Sequence, residues 1–302
     1  MGVAANQILI LFLVMAAGFA CRKIGAIDEK STNVLSGIVV KIILPAYLFN
    51  AIVTSDSGVD NSGVIAAIAL SVGMYAISIL IALAEVKLMK PGKEDKGVYL
   101  FETMCANVTY IGIPVCVAVF GEKAAFYAAL LNIPYNLLCF SLGVYMLSGK
   151  KELKKILNPV FISGVIAVAL YVLKIELPPI VTEACKLLGQ ATTPCALLVV
   201  GSVLAGISLK DIFSDWRTIP YVFMRLIGIA VIVLLIIYKL NVDPVMKGVI
   251  VIMAAMPAAT NSTMLCSIYG GNRDLSAKLI FITTALSLIT IPLWSAVLEK
   301  IM

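Results

Sequence analysis

Asn107-Val108-Thr109-Tyr110-Ile111-Gly112-Ile113-Pro114 interrupts an apolar run, residues 97–120, that is otherwise long enough to cross a bilayer. Proline lacks a backbone donor and clashes with the preceding turn, while Asn and Gly tolerate non-helical backbone. The run is therefore predicted to break near its middle. A second run, 245–269, breaks in the same way at Met256-Pro257-Ala258-Ala259-Thr260-Asn261-Ser262-Thr263. Unwound backbone is tolerated in hydrocarbon only where protein or a watery cavity surrounds it. One kink would carry little, because Pro and Gly are common in membrane helices. Two matched breaks predict a polar site near the bilayer midplane. The freed half-helix N-termini would supply amide donors and a positive dipole end, which suit a carboxylate, and the Asn side chains both donate and accept.

Around these breaks the whole chain reads as lipid-embedded. Of 302 residues 61% are hydrophobic and 13% charged, with a mean hydropathy of +1.05. A soluble domain needs more polar surface than that. A bilayer core takes roughly 20 apolar residues per helix. Such runs are placed at 4–21, 31–51, 64–84, 97–120, 124–147, 156–173, 179–205, 220–240, 245–269 and 275–298. The predicted fold is an all-α polytopic membrane protein of ten transmembrane helices, with no room for a soluble domain. The first run lacks a basic residue before Arg22 and is predicted to be a retained helix, not a signal peptide.

The connections on one side of this layout carry fifteen Lys and Arg, and those on the other side only Lys123, Lys174, Lys239 and Lys300. The positive-inside rule then puts both termini outside and the 148–155 connection in the cytoplasm, in a plasma (inner) membrane. That connection, Gly149-Lys150-Lys151-Glu152-Leu153-Lys154-Lys155 at its core, divides the chain into residues 1–147 and 156–302. Five spans per half is an odd number, so the halves enter the membrane with opposite polarity, as two inverted repeats. Their features correspond. Pro45 in span 2 matches Pro194 in span 7, Asn107-Val108-Thr109 matches Asn261-Ser262-Thr263, and Pro134 matches Pro292.

Several function classes drop out. The net charge of +6 sits in short turns and is a topology signal, not a nucleic-acid surface. The seven cysteines lie in or at the ends of apolar runs without CxxC spacing and read as small buried hydrophobes. Histidine is absent, which removes HExxH metalloproteases and His-ligated metals. No DDxxD cluster or nucleophile–base pair supports an intramembrane enzyme, and no cofactor is expected.

Two charges lie deep. Lys41 is ten residues into span 2, one turn before Pro45, and Glu102 is five residues into span 4. Charges at such depth default to a functional hypothesis. Lys41 is then a counter-charge to a substrate carboxylate, and Glu102 a coupling group that takes a proton or sodium. The alternative is that the two simply neutralise each other or face a watery crevice. Glu183, Lys186, Arg225 and Lys247 lie within two turns of span ends and are expected to snorkel.

The motifs Leu44-Pro-Ala-Tyr-Leu-Phe49, Asn107-Val-Thr-Tyr-Ile-Gly-Ile-Pro114 with Phe120-Gly121, Ala191-Thr-Thr-Pro194 followed by Gly201, and Met256-Pro257 before Asn261 together resemble the auxin efflux carrier family, the bacterial relatives of the plant PIN carriers. The stretch Thr284 to Pro292 resembles its last span. The resemblance covers essentially the whole chain. It implies a fold similar to the sodium–bile acid symporters, with spans 1, 2, 6 and 7 as a scaffold and spans 3–5 and 8–10 as a transport domain. Spans 4 and 9 would cross at their breaks. It implies secondary transport of a carboxylate such as malate, malonate, lactate or an auxin-like acid, with a sodium-coupled symporter of a larger amphipathic anion as the alternative. By this resemblance Asn107, Pro114, Pro257 and Asn261 contact substrate. Thr109, Gly112, Thr263, Pro45 and Pro194 belong to the same motifs and are candidates with them. A homodimer through the scaffold helices is the expected assembly. One departure is that the plant carriers have an Asp/Lys pair in the third span, whereas residues 64–83 here hold no ionisable group except Tyr75.

Overall fold

The computed structural model describes residues 3–56, 58–149, 156–207 and 215–301, so most of the central connection, 150–155, lies outside the described residues. Among the described residues every regular element is a helix, and the single β-type pairing is an isolated bridge. In chain order these are α1 (Val3–Lys23), α2 (Glu29–Val53), α3 (Asn61–Met89), α4a (Lys93–Met104) and α4b (Val108–Phe120). Then follow α5 (Lys123–Ser148), α6 (Pro159–Val172), α7 (Pro179–Ala205), α8 (Thr218–Ile237), α9a (Pro244–Ala254), α9b (Ser262–Tyr269) and α10 (Arg273–Ile301).

Short polar turns set where these helices start. Side chains of Asp28, Asp60, Asn158 and Asp243 accept from the first free amides of α2, α3, α6 and α9a, so each helix enters the apolar layer already capped. The stops are matched too. α4b ends at Phe120-Gly121 and α9b at Tyr269-Gly270, and both glycines take a positive φ, +75° and +90°, which a side chain would resist.

Among the described residues seven helices, α1, α2, α3, α5, α7, α8 and α10, are long and apolar enough to cross a membrane. The other three expected spans contain apolar helices shorter than that. The fourth and ninth are interrupted, as their Pro, Gly and Asn content required, and α6 has only 14 residues, about 21 Å at 1.5 Å per residue. α3 runs past its expected end to Met89, which brings Glu85 inside it.

Packing separates an interior from a lipid-facing shell. Gly248 to Ala254 of α9a are buried all round, as are most residues of α5 from Ala124 to Asn136. Leu13, Leu80, Leu235 and Ile180 stand exposed on outer helix faces, as a surface solvated by hydrocarbon requires. α1 and α7 approach backbone to backbone. A Cβ on Gly201 would lie 1.9 Å from the Met15 carbonyl oxygen, and one on Gly18 would lie 2.3 Å from that of Leu198. Only glycine permits such a crossing. α2 packs on α6 and α7, and α5 lies against α4b and α9a.

Candidate functional site

The two breaks are in contact and complete each other. The Asn107 amide donates to the Pro257 carbonyl at 2.7 Å, and the Ala259 amide donates to the Cys105 carbonyl at 3.3 Å. Between them Ala106 and Ala258 form an antiparallel bridge. Backbone freed by Pro257 and by the Cys105–Asn107 bend is thereby paired within protein, as a low-dielectric interior demands. The Ala258 amide is taken by Thr283 Oγ1 of α10 at 3.1 Å. Gly112 lets α4b lie on α9a, because a Cβ there would sit 2.6 Å from Met253 Sδ. Pro114 follows, buried, near the start of the regular part of α4b.

Asn107, Thr109, Tyr110, Asn136, Thr260 and Asn261 line a cavity of about 50 Å³ against Val40 and Leu44 of α2. That volume holds a few waters; a dicarboxylate needs the walls to part. Asn107 Oδ1 accepts from the Tyr110 amide at 3.2 Å and so caps α4b, while its Nδ2 reaches Thr260 Oγ1 at a long 3.5 Å. Thr109 Oγ1 donates to Asn132 Oδ1 of α5 at 3.0 Å. Tyr110 and Ser36 of α2 share a hydrogen bond of 2.8 Å across the wall of the cavity. Asn261 Oδ1 is buried with no partner.

A wider crevice lies at each end of α2. One, about 410 Å³, runs between Tyr47 and Asn50 of α2, Thr54 just past its end, and Glu122 and Lys123 at the α4b–α5 turn. The other, about 470 Å³, runs between Glu29, Ser202 of α7, Thr263 and Arg273. Thr263 thus faces this second crevice and not the cavity. Arg273 Nη2 bonds Glu29 Oε1 at 3.3 Å across its mouth. A larger cavity, about 910 Å³, lies between the α2–α3 and α6–α7 connections and includes none of the break residues.

Other candidates fall elsewhere. Pro45 is buried beside Leu44, but Pro194 is exposed on α7, three residues past the Gln190-Ala191 turn that breaks that helix. Lys41 is exposed and does not line the cavity. Its expected register with Pro45 fails for a physical reason. Val39–Ile43 is a π-turn, whose i→i+5 pattern takes residues four apart off a common face. Lys41 makes no ion pair with Glu102 among the described residues. Glu102 is instead fully buried, and its Oε1 accepts from Ser262 Oγ at 2.5 Å and Ser276 Oγ at 2.7 Å.

Arg225 does not snorkel. It is 1% exposed. Its Nε donates to the Met256 carbonyl at 3.0 Å, Nη1 to the Thr103 carbonyl at 2.6 Å, and Nη2 to the Ala254 carbonyl. The Thr103 and Ala254 carbonyls belong to the C-terminal ends of α4a and α9a, and that of Met256 to the break just beyond α9a, where unpaired oxygens and the negative dipole end call for a cation. The planar fork of one guanidinium serves both. Glu85 joins the group, with Oε2 accepting from Thr103 Oγ1 at 2.7 Å. From sequence, Arg225 is two turns into an apolar run and looks like any interfacial arginine. Glu85 looks like the polar end of span 3.

The profile of the family described as "Membrane transport protein" matches residues 3–153 and 144–295. Among curated proteins the chain is similar to an uncharacterized transporter of Methanocaldococcus jannaschii, 26% identical over 97% of this chain and 98% of that one. It is similar to a second from Methanothermobacter thermautotrophicus, 26% identical over 99% of each. A Rhizobium meliloti protein named "Putative malonate transporter" is 25% identical over 94% of this chain and 92% of its own.

Proposed function

The chain belongs to this membrane transport protein family, a transporter and not an enzyme, and from that premise we propose that it carries a small organic anion by alternating access. The observation that carries the reading is the cavity at the two touching breaks, lined by Asn107, Thr109, Thr260 and Asn261, where the Asn261 side chain makes no hydrogen bond among the described residues and so keeps its Nδ2 donor for an anion. A carboxylate there meets side-chain amides and hydroxyls together with the N-terminal end of α9b. The small volume favours a short mono- or dicarboxylate over a bulky amphipathic anion. The name of the Rhizobium relative makes malonate the first compound to try.

In this reading the ten expected spans form two inverted repeats. α1, α2, α6 and α7 stay as scaffold, and α3–α5 and α8–α10 move as a transport domain, carrying the crossing of α4 and α9 between the two crevices. The Ser36–Tyr110 and Glu29–Arg273 bonds join the proposed halves of the machine and must break in the cycle. Both termini face outside. The test is uptake of labelled malonate, malate and lactate by proteoliposomes of the purified chain, with Asn261→Ala as control. Uptake of one of these that the variant loses supports the reading. Full uptake by a well-folded Asn261→Ala would remove the anion site from the breaks.

A further inference from the structure

Glu85, Glu102 and Arg225 form a sealed group to which the anion site gives no role. Glu102 is 0% exposed, Arg225 1% and Glu85 7%. Each carboxylate has one satisfied and one idle oxygen. Glu102 Oε1 takes the Ser262 and Ser276 hydroxyls and Glu85 Oε2 takes that of Thr103, while Glu102 Oε2 and Glu85 Oε1 are buried without a partner. Arg225 gives its bonds to three backbone carbonyls and forms no ion pair with either acid.

The charges do not balance. Two carboxylates and one guanidinium leave one negative charge in excess, away from water, where unbalanced charge is costly. The titratable neighbours of Glu102 are Arg225 and Tyr221 from α8, Cys266 from α9b and Cys105 at the α4 break, and Arg225 and Tyr221 also face Glu85. Arg225 is the one base among them. One further positive charge is wanted. In transporters with broken helices, unwound carbonyls and half-helix C-termini hold the coupling sodium or proton. Here the Arg225 guanidinium already occupies those carbonyls, so the place of a sodium ion is filled by a tethered cation.

We propose that Glu102 binds one proton at its idle oxygen, neutralising the cluster, and that Arg225 replaces sodium at the half-helix ends. The step is protonation of a carboxylate to a carboxylic acid and nothing more. Glu102 is chosen over Glu85 because it is the more deeply sealed and because it is joined to both breaks. It lies three residues before Cys105 and bonds Ser262, the neighbour of Asn261. An anion entering beside Asn261 is less opposed when Glu102 is neutral, which makes the proton a coupling ion. That last role rests on the transport reading above; the proton site does not.

Infrared difference spectra of the purified full chain in lipid separate the two. A protonated-carboxyl C=O band that shifts in deuterium oxide is expected at neutral pH, where ordinary carboxylates with pKa near 4 are ionised. It should vanish in Glu102→Gln, persist in Glu85→Gln and be unchanged when sodium replaces potassium at constant ionic strength. Should Glu102→Gln fail to fold, Ser276→Ala serves instead, because removing one donor to Oε1 must move the band. No band in the native chain, a band indifferent to both variants, or one abolished by sodium overturns the proposal. A band present while a proton gradient drives no malonate uptake would overturn the coupling role and leave the proton site standing.

Discussion

The breaks in α4 and α9 pair with each other, yet they are finished differently. The α4 break spans three residues, Cys105 to Asn107, and the α9 break seven, Ala255 to Asn261. Asn107 is 4% exposed and works as a cap, its oxygen on the Tyr110 amide. Asn261 makes no side-chain cap bond, and its oxygen is idle. Two asparagines that match in sequence thus divide the labour. Asn107 caps α4b at the crossing, and the Asn261 side chain makes no hydrogen bond among the described residues. Arg225 is common to both, bonding one carbonyl of the α4 side and two of the α9 side.

The largest effect should come from the shared residue. Arg225→Leu leaves three buried carbonyls unpaired and two carboxylates without a cation. About 3–5 kcal/mol is expected from breaking such a network, enough to lose folded protein. Arg225→Lys keeps the charge but not the fork, so it should express with a lowered apparent melting temperature in detergent. An Arg225→Leu protein as stable as the native one would show that the breaks hold themselves.

The two asparagines come next, and here the comparison can be broken directly. Asn107→Ala removes a cap and should lower stability by about 1–2 kcal/mol. Asn261→Ala should leave stability unchanged and weaken anion binding about five- to a hundredfold, the equivalent of roughly 1–3 kcal/mol. Thermal shift with and without malonate measures both. Equal losses of stability in the two variants would mean that the unbonded side-chain amide of Asn261 has no special part.

How much of this was legible in the sequence can be judged residue by residue. Pro257, Gly112 and the Asn residues announced both breaks, because their backbone chemistry is local. That the breaks would pair through Asn107 with Pro257, and Ala106 with Ala258, was not legible, since it depends on which helices cross. Arg225 was misread for the same reason. A snorkelling arginine and a buried one have identical local sequence, and what differs is three carbonyls supplied from the ends of α4a and α9a and the break beyond α9a. Lys41 was misplaced by a π-turn, a register shift that apolar periodicity does not report.

A smaller effect belongs to the clamp between the helices that flank the crossing. Lys123 Nζ at the start of α5 lies 2.6 Å from Asp243 Oδ2 just before α9a. Partial burial raises the Asp243 carboxyl, but the Lys123 hydrogen bond and charge and the amides of Val245 and Met246 outweigh it and hold the group below its ordinary value. A depressed acid stabilises the fold fully above its unfolded pKa, near 4, and that contribution is lost as pH falls through the folded value. Asp243→Asn keeps the cap and removes the charge. It should lower stability by about 0.5–1 kcal/mol at pH 7, discounted for partial exposure, and the difference from the native chain should close below about pH 4. A deficit that persists unchanged in acid would trace the loss to the cap and not to the ion pair.

The smallest effect is expected at Lys41, and it tests whether either break draws on a charge outside the cavity. The side chain is exposed on α2, while the cavity is walled on that side by Val40 and Leu44. Glu102, the one acid it was expected to meet, is satisfied on one oxygen by two serines and makes no ion pair. Lys41→Met should therefore change anion binding by less than about twofold, or roughly 0.4 kcal/mol, and stability within the ±0.5 kcal/mol usual for exposed positions. Combining it with Glu102→Gln gives a sharper reading, because distant sites without shared partners add and neighbours do not. The double variant should equal the sum of the singles in both binding and melting temperature. If Lys41→Met alone abolishes malonate binding, the anion reaches α2 and the site is wider than the two breaks. If the double variant recovers what either single loses, Lys41 and Glu102 compensate each other in a conformation with the cavity open. Additivity would show that Lys41 works apart from the breaks and the buried carboxylates.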